Sequence, residues 1–203
     1  MEGPDGSGKT TQIALLGALL AQKGLEVVQT REPGGTPLAD RIRELILDPA
    51  HEEMTSRTEA LLYMAARAQH TAKLIRPALE RGAVVISDRY TDSTLVYQGV
   101  ARGLPMDSLV WLNHFATEEL TPDLTLLLDG DTECLAGRIA SRGNKDRLDS
   151  ETQDFHQLVR EGFLLLAAQN PDRFRVIDAD RAVEIVQADI ESCVMDFMRK
   201  RGR

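Results

Sequence analysis

Eight residues near the beginning of the chain combine glycines, a lysine and a threonine at a spacing that can bind a polyphosphate. The segment follows the pattern G-x-x-x-x-G-K-[ST] and consists of Gly3, Pro4, Asp5, Gly6, Ser7, Gly8, Lys9 and Thr10. In such a loop, successive backbone N–H groups point at phosphate oxygens, and glycines permit the close approach. The lysine reaches the β- and γ-phosphates of a nucleotide, and the next hydroxyl ligates Mg²⁺. We therefore predict a nucleoside-triphosphate site in which Lys9 is catalytic, Thr10 binds metal and Thr11 adds to the phosphate contacts.

A phosphate loop of this kind occurs in GTPases, motors and kinases, so a second feature must choose among them. Residues 144–146 read Asn-Lys-Asp, which is close to the guanine-binding NKxD pattern of GTPases. They lack its spacer residue and lie in a polar, arginine-rich segment that no apolar strand precedes. No DxxG segment follows a predicted strand. These differences favour a kinase over a GTPase switch.

The elements that must position these residues alternate between strands and helices. Short β-rich runs cover 25–30, 83–87, 124–128 and 174–177, and helical patterns cover 8–23, 55–81, 105–119, 132–142, 151–169 and 181–199. Pro77 predicts a kink or break in the second helix. Continuous apolar strands are typical of parallel sheets that are covered on both faces. The sequence predicts an α/β protein with the P-loop NTPase fold, a doubly wound parallel sheet with helices on both faces and ligands at the carboxyl ends of the strands.

The second predicted strand ends in a carboxylate that is followed directly by a guanidinium. Asp88 lies where a carboxylate can act on Mg²⁺ through water, so it is assigned to the metal site. Arg89 comes next, and guanidinium groups bind oxyanions through two parallel hydrogen bonds. Its position directly after the strand-ending Asp88 favours a functional role for Arg89.

The beginning of the chain departs from this architecture. A phosphate loop normally lies between a central strand and a helix, but here Met1 and Glu2 alone precede it. We expect the first strand to be missing from this chain, through truncation or a start placed too late, and disfavour a native four-stranded sheet. About five to seven apolar residues before Glu2 should then raise the melting temperature, since strands of that length are usual.

Bulk properties restrict the remaining classes of function. The chain has 203 residues and a net charge of −8, which suits a single domain over 1–203 and disfavours binding to nucleic acid. Its longest apolar run, 60–66, is shorter than a membrane span requires, and no signal peptide precedes the phosphate loop. The two cysteines suggest no disulfide framework. We expect a cytoplasmic protein that acts on small molecules and contacts no membrane.

Three further segments resemble the signatures of one kinase family. Residues 30–36 read TREPGGT, residues 88–90 read DRY and residues 121–124 read TPDL. Together with the phosphate loop, and from Glu2 nearly to the carboxyl terminus, they resemble thymidylate kinases. The resemblance implies transfer of the γ-phosphate of ATP to dTMP with Mg²⁺, a five-stranded parallel sheet, a mobile lid and a homodimer. The apolar stretch 109–115 is a candidate for the dimer contact.

The resemblance also implies roles for residues of the acceptor site. Asp5 would accept a hydrogen bond from the 3′-hydroxyl of dTMP, and Glu32 would hold the acceptor site and the water shell of Mg²⁺ as a catalytic residue. Arg43 and Arg89 would bind the dTMP phosphate, with Arg89 also catalytic. The residues assigned to the nucleoside are Tyr63, which would stack on thymine, Arg67, which would donate to its O4, Thr94, and Tyr97, which would lie beneath the deoxyribose.

A lid is predicted at about 138–151 because arginines surround a short polar segment there. Some family members carry an arginine in the phosphate loop where this chain has Gly6. The positive charge at the transferring phosphoryl group must then come from elsewhere, and the lid can supply it. We assign Arg142 and Arg147 to catalysis and Arg138 to the adenine side of ATP. An arginine so placed can contribute a factor of about 10³ or more to phosphoryl transfer.

Two alternatives stay open at this point. One is a kinase for a different nucleoside monophosphate, and the other is a nucleotide-dependent switch or binding module. A panel of acceptor nucleotides with ATP and Mg²⁺ separates them from a thymidylate kinase. The histidines show no ligand spacing and receive no chemical role: His51, His70, His114 and His156.

Overall fold

The chain is described by a computed structural model that covers residues 1–140, 147–148 and 151–202, apart from the side chains of 133, 136, 139 and 140. The helices are α1 (Lys9–Gln22), α2 (Pro37–Leu47), α3 (Ser56–His70), α4 (Arg76–Glu80), α5 (Thr91–Thr94), α6 (Met106–Thr117), α7 (Thr132–Ala140), α8 (Gln153–Gln169) and α9 (Val183–Lys200). Two π-helical turns, Thr71–Ile75 and Leu95–Ala101, continue α3 into α4 and extend α5. The strands are β1 (Val27–Arg31), β2 (Val84–Asp88), β3 (Thr125–Asp129) and β4 (Phe174–Asp178).

The strands form two parallel pairs that the first two residues of the chain connect. β1 pairs with β2 and β3 pairs with β4. The Met1 ammonium donates to the Ser87 carbonyl at 2.8 Å, and the Glu2 N–H donates to the Leu126 carbonyl at 2.8 Å. Leu128 N–H returns a bond to the Glu2 carbonyl at 2.9 Å. Met1 and Glu2 therefore occupy the position of a central strand between β2 and β3.

Apolar side chains cover both faces of this sheet, as a doubly wound fold requires. On one face, Leu126 and Leu128 pack with α1 and α9 in the larger core cluster. On the other face, Leu127 packs with α8 and the Leu95–Ala101 turn, around Phe163. Because successive strand residues point to opposite faces, one run of leucines supplies both cores. The predicted fold class is confirmed by this arrangement.

The predicted helical patterns correspond to helices of the structure, with three differences. One is α2 (Pro37–Leu47), which none of these patterns covers. The segment predicted as one helix over 55–81 stays helical, but it changes to a π-helical turn at Thr71–Ile75, just before Pro77. The helical segment from Thr91 to Ala101 was not predicted. Its beginning depends on a distant residue, because the Glu2 carboxylate accepts from the N–H groups of Tyr90 at 2.8 Å and Ser93 at 3.3 Å.

Among the described residues, no helix combines the length and the apolar character needed to cross a membrane. Cys134 is exposed and Cys193 is half-buried, and both are free thiols.

Candidate functional site

The phosphate loop connects the central strand position to the start of α1. Gly3 has φ 141° and packs so closely on β3 that a Cβ there would lie 2.3 Å from the Leu128 carbonyl oxygen. Gly8 precedes the first turn of α1 with φ 88°, a left-handed conformation that L side chains rarely adopt. The amino end of α1, with its unpaired N–H groups and positive dipole, therefore faces the space that the loop encloses.

Lys9, the lysine of the phosphate loop, is buried. Its ammonium donates to the Gly3 carbonyl at 3.0 Å and to the Pro4 carbonyl at 2.9 Å. Burial and the nearby Arg89 guanidinium lower the pKa of Lys9 to about 8, against the opposing effect of Asp5. The lysine is thus a cation at neutral pH that has been taken out of water and is oriented by backbone carbonyls.

Thr10 and Asp88, the two predicted metal residues, lie side by side. The Thr10 hydroxyl donates to the Asp88 carboxylate at 3.2 Å. One hydroxyl and one carboxylate next to a phosphate loop fit Mg²⁺, which keeps several waters and binds through few protein oxygens. The described residues contain no cluster of three or more histidine, cysteine, aspartate or glutamate side chains that could hold a metal alone.

The predicted acceptor residues share one cavity with the phosphate loop. It has a volume of about 220 Å³ and lies between the loop, the ends of β1 and β2, and helices α2 and α3. The predicted residues that line it are Asp5, Gly6, Gly8, Lys9, Thr10, Glu32, Arg43, Tyr63, Arg67, Asp88, Arg89, Thr94 and Tyr97. Three loop residues do not line this cavity: Gly3, Pro4 and Ser7. Thr11 does not line it either and is exposed on α1.

Arg89 organises the part of the cavity next to the loop. It has φ 67° at the end of β2, an uncommon conformation for a non-glycine residue that often marks a functional site. Its guanidinium donates to Asp5 at 2.8 Å and to the Gly3 carbonyl at 3.0 Å, and it lies 4.9 Å from the centre of the Tyr97 ring. The Tyr97 hydroxyl donates to the other Asp5 oxygen at 2.9 Å.

These contacts set the charges of the same residues. Burial would raise the pKa of Asp5, but Arg89, Lys9 and the Tyr97 hydroxyl outweigh it and hold that pKa well below its usual range. Burial would lower the pKa of Arg89, and Asp5 is foremost among the groups that raise it well above the usual value. Burial raises the pKa of Tyr97, which keeps its hydroxyl protonated as a donor to Asp5. This end of the cavity therefore contains a permanent ion pair.

The opposite end is built on Glu32, which is 4% exposed and follows β1. Arg67 Nε donates to one carboxylate oxygen at 2.7 Å, and His70 Nδ1 lies 2.9 Å from the other. His70 Nε2 lies 2.7 Å from the Thr30 hydroxyl. With Nδ1 protonated, the ring donates to Glu32 and accepts from Thr30, so both ring nitrogens are satisfied. His70 therefore orients Glu32, a role that the sequence spacing did not reveal.

Arg67 is 1% exposed and is held by several polar groups. Nη1 donates to Thr94 at 2.8 Å and to Asn113 at 2.5 Å, and Nη2 donates to the Tyr90 carbonyl at 2.9 Å. With the bond to Glu32, four of the five guanidinium N–H donors are used within the described part of the chain. The plane of the guanidinium is thereby set, with one donor remaining for a ligand.

The remaining cavity residues come from the helices above Glu32. Arg43 on α2 donates to the Pro33 carbonyl at 2.8 Å. Tyr63 on α3 precedes Arg67 by one helical turn, so the two residues share a face of the helix, and both line the cavity. The lining also includes Ser93, Gln98 and Leu148, which were not predicted. Gln98 follows Thr94 by four residues, so recognition of that helix would have placed it on the same face.

The lid residues lie elsewhere or outside the described residues. Arg138 on α7 is 3.4 Å from the Ala179 carbonyl and 3.9 Å from the Asp180 carboxylate, beyond the cavity lining. The Arg147 side chain, 11% exposed, pairs with Glu59. Arg142 and the 144–146 segment are not among the described residues, nor is the greater part of the predicted lid at 138–151.

A parallel sheet with helices on both faces, a phosphate loop, and an arginine-lined cavity beside it define a P-loop kinase of the nucleoside-monophosphate class. A model of the thymidylate kinase family matches residues 1–190. The chain belongs to the thymidylate kinase family.

Individual thymidylate kinases are similar to this chain along nearly its whole length. A thymidylate kinase of Symbiobacterium thermophilum is 50% identical over 202 residues, which cover 100% of this chain and 94% of that protein. One of Ectopseudomonas mendocina is 50% identical over 198 residues, covering 98% of this chain and 94% of the relative. The crystal structure of thymidylate kinase from Ehrlichia chaffeensis is 32% identical, covers 95% of both chains and superimposes with a TM-score of 0.79.

Proposed function

We propose that this chain transfers the γ-phosphoryl group of ATP to dTMP, giving ADP and dTDP on the route to dTTP. A phosphate oxygen of dTMP attacks the γ-phosphorus, and the bond from that phosphorus to the ADP oxygen breaks with its electron pair leaving on ADP. The observation that supports the proposal is the single cavity that joins the phosphate loop to Arg89, Arg43 and Tyr63. Two anionic phosphates can approach each other only where cations surround both.

On the acceptor side, we assign the dTMP phosphate to Arg89 and Arg43. Arg89 is already bound to Asp5 and stacked on Tyr97, so it is oriented before a ligand arrives. Preorganised donors contribute more to a reaction than donors that must first be ordered. Asp5 would accept a hydrogen bond from the 3′-hydroxyl of dTMP while it retains Arg89.

For the base and the sugar, we assign stacking to Tyr63 and donation to thymine O4 to Arg67. Thr94 and Tyr97 would complete the nucleoside site. The Tyr97 ring, held by Arg89 and by edge contacts with Phe155 and Phe163, would lie beneath the deoxyribose and leave no room for a 2′-hydroxyl. A preference for deoxynucleotides follows.

On the donor side, the phosphates of ATP would lie on the loop from Gly3 to Thr10, with Thr11 next to them. Lys9 would leave the Gly3 and Pro4 carbonyls to meet the β- and γ-phosphates. Thr10 and Asp88 would hold Mg²⁺, the latter through water, and the ion would neutralise charge on the phosphates. Glu32, oriented by Arg67 and His70, would order the water shell on the acceptor side.

The lid at 138–151 would exclude water and add positive charge. We assign Arg138 to the adenine side of ATP, because it lies beside the Ala179 carbonyl at the end of β4. Arg142 would reach the transferring phosphoryl group. Arg147 could share that catalytic role only by leaving Glu59, to which it is bound in this structure.

An acceptor panel tests the proposed reaction. The protein is assayed for ADP release with ATP, Mg²⁺ and, in separate reactions, dTMP, dUMP, dCMP, dGMP and UMP. We expect dTMP to be the best acceptor by a wide margin. A different best acceptor would support a kinase for another nucleoside monophosphate. Release with none of them would support a nucleotide-dependent switch or binding module.

We also propose that the chain acts as a homodimer in the cytoplasm. Within 109–115 on α6, Leu109 is buried, whereas Trp111 and Phe115 are 63% and 72% exposed and stack with their centroids 5.5 Å apart. Exposed stacked aromatic residues on a helix are typical of an interface core. Sedimentation velocity should show a dimer for the wild-type chain and a monomer for Phe115→Glu.

A further inference from the structure

A buried cluster of two glutamates and two arginines lies behind the acceptor cavity. Glu59, on α3, is 1% exposed, and it accepts from Gln98 at 2.9 Å and from Arg102 at 3.3 Å. Arg102 also pairs with Glu151 at 2.5 Å. The Arg147 guanidinium completes the cluster by pairing with the same Glu59 oxygen. Two carboxylates thus balance two guanidinium groups with little access to water.

Among the described residues, Arg147 is bound at three points. Besides Glu59, its Nε donates to the Ile46 carbonyl at 3.0 Å, and its backbone N–H donates to the Leu47 carbonyl at 3.2 Å. Those carbonyls belong to the last turn of α2, which has no intrahelical donor for them. A single arginine therefore connects the predicted lid to α2 and α3.

The residue after Arg147 forms part of the acceptor cavity. Leu148 is 8% exposed and lines the cavity together with Leu47 and Gln98. Leu47 supplies a carbonyl to Arg147, and Gln98 donates to Glu59. Glu59 and Arg147 therefore connect the cluster directly to the cavity wall.

We infer that Glu59 is a positioning residue for the acceptor: its carboxylate tethers Arg147 and thereby holds Leu148 and Gln98 in the wall of the dTMP site. The inference rests on the proposed function, because it assigns this cavity to dTMP. Removal of the Glu59 charge leaves Arg102 and Arg147 facing each other at 17% and 11% exposure. This like-charge contact favours release of Arg147, because Arg102 keeps its pair with Glu151.

The test compares Glu59→Gln and Arg147→Met, singly and combined, with Glu44→Gln as the matched control. Glu44 pairs with Arg41 on the exposed surface of α2, so its removal should change nothing. For Glu59→Gln we expect KM for dTMP to rise about tenfold, the effect of one lost charge-assisted hydrogen bond, and KM for ATP to stay within about twofold. The double variant should be no worse than Glu59→Gln.

Limited digestion with trypsin provides a readout that does not depend on activity. A guanidinium held by Glu59 must be released before trypsin can cleave after Arg147, so the cleavage rate reports that local opening. We expect about tenfold faster cleavage there in Glu59→Gln than in Glu44→Gln, in line with the same tenfold loss of binding. Unchanged cleavage after Arg147 would refute the tether, even if the wild-type chain did not phosphorylate dTMP.

Arg147→Met keeps the inference testable if Glu59→Gln does not fold. As a tether, Arg147 should raise KM for dTMP when replaced and leave kcat within about threefold, since a ground-state contact is lost. A collapse of kcat with KM for dTMP unchanged would overturn the inference and would place Arg147 on the transferring phosphoryl group. Additive losses in the double variant would overturn it as well.

Discussion

The slot between β2 and β3 should accept an added strand, and this can be tested by extending the chain. Met1 and Glu2 occupy only one end of the slot. Behind them lies a cavity of about 610 Å³, lined by apolar residues of α1, β2, β3 and α9 such as Leu16, Ile86 and Leu126. Some five to seven apolar residues directly before Glu2 would run parallel to both neighbouring strands at about 3.3 Å per residue.

The expected gain follows from four contributions per added residue, two favourable and two unfavourable. Each residue gains about 1 kcal/mol from new backbone hydrogen bonds and about 1.5–3 kcal/mol from a buried apolar side chain. Ordering it costs about 1–2 kcal/mol for the backbone and about 0.5–1 kcal/mol for the side chain. The net is on the order of 1 kcal/mol per residue, hence about 5 kcal/mol for five residues. At about 2–4 °C per kcal/mol for a chain of this size, the melting temperature should rise by about 10–20 °C.

A second effect of the extension depends on pH. The ammonium of Met1 is buried in the slot, and burial lowers its pKa from the ordinary value of 8.0, against the opposing effect of Glu2. A base whose folded pKa is depressed costs stability while it is charged, and the cost disappears as pH rises towards 8.0. An extended chain has an amide at this position, so its advantage over the wild-type chain should be larger at pH 6 than at pH 9, on either side of the usual amino-terminal pKa of about 8.

Thermal unfolding followed by circular dichroism measures the effect, with two controls of equal length. One control replaces the apolar residues with glycine and serine, and the other places a proline at the middle of the added strand, where it removes a hydrogen-bond donor. The apolar extension should exceed both by several degrees. Equal melting temperatures for all three chains would refute the idea that the slot accepts a strand.

Three further predictions concern the site. Replacement of Tyr97 by Ala should bring the rates with dUMP and UMP, a pair that differs at the 2′ position, closer together; an unchanged ratio would show that the ring does not exclude the 2′-hydroxyl. Loss of the imidazole in His70→Ala should leave Glu32 with an unsatisfied buried oxygen. The free energy of unfolding should fall by about 1–3 kcal/mol, and kcat should fall as well. His70→Asn should recover part of the stability and part of kcat. Because the pKa of Lys9 is lowered to about 8, the lysine loses its charge as pH rises through that value. The Kd for a non-hydrolysable ATP analogue should then increase about tenfold for each pH unit above 8. A Kd that stays constant up to pH 9.5 would contradict this.

The sequence predicted most of the fold because its strands are short and mainly apolar. β3 was expected at 124–128 and lies at Thr125–Asp129, and the alternation of Leu126, Leu127 and Leu128 between the two faces explains why all three of these residues are apolar. The helix at Thr91–Ala101 could not be predicted in this way. Its start is stabilised by the Glu2 carboxylate, which no local pattern reveals.

The site shows the same division between local and long-range information. The resemblance assigned Tyr63 and Arg67 to one site, and their spacing of four residues, a local feature, puts them on one face of α3. His70 was assigned no chemistry, since its partners Glu32 and Thr30 lie 38 and 40 residues away in sequence. A hint was available in Gly35, where a Cβ would lie 2.6 Å from the His70 ring, but the meaning of such a glycine is clear only when both residues are seen together.

The pairing of charges explains how an acidic chain can bury guanidinium groups in this cavity. With a net charge of −8, the protein cannot rely on its overall field to attract anions. Instead, buried carboxylates hold individual guanidinium groups in place: Asp5 holds Arg89, and Glu32 holds Arg67. Each pair offsets the cost of burying its cation without occupying all of its donors, as the fifth N–H of Arg67 illustrates. The acidic residues are thus part of the proposed substrate site, because an arginine without such a partner would be too costly to bury or too mobile to orient a ligand.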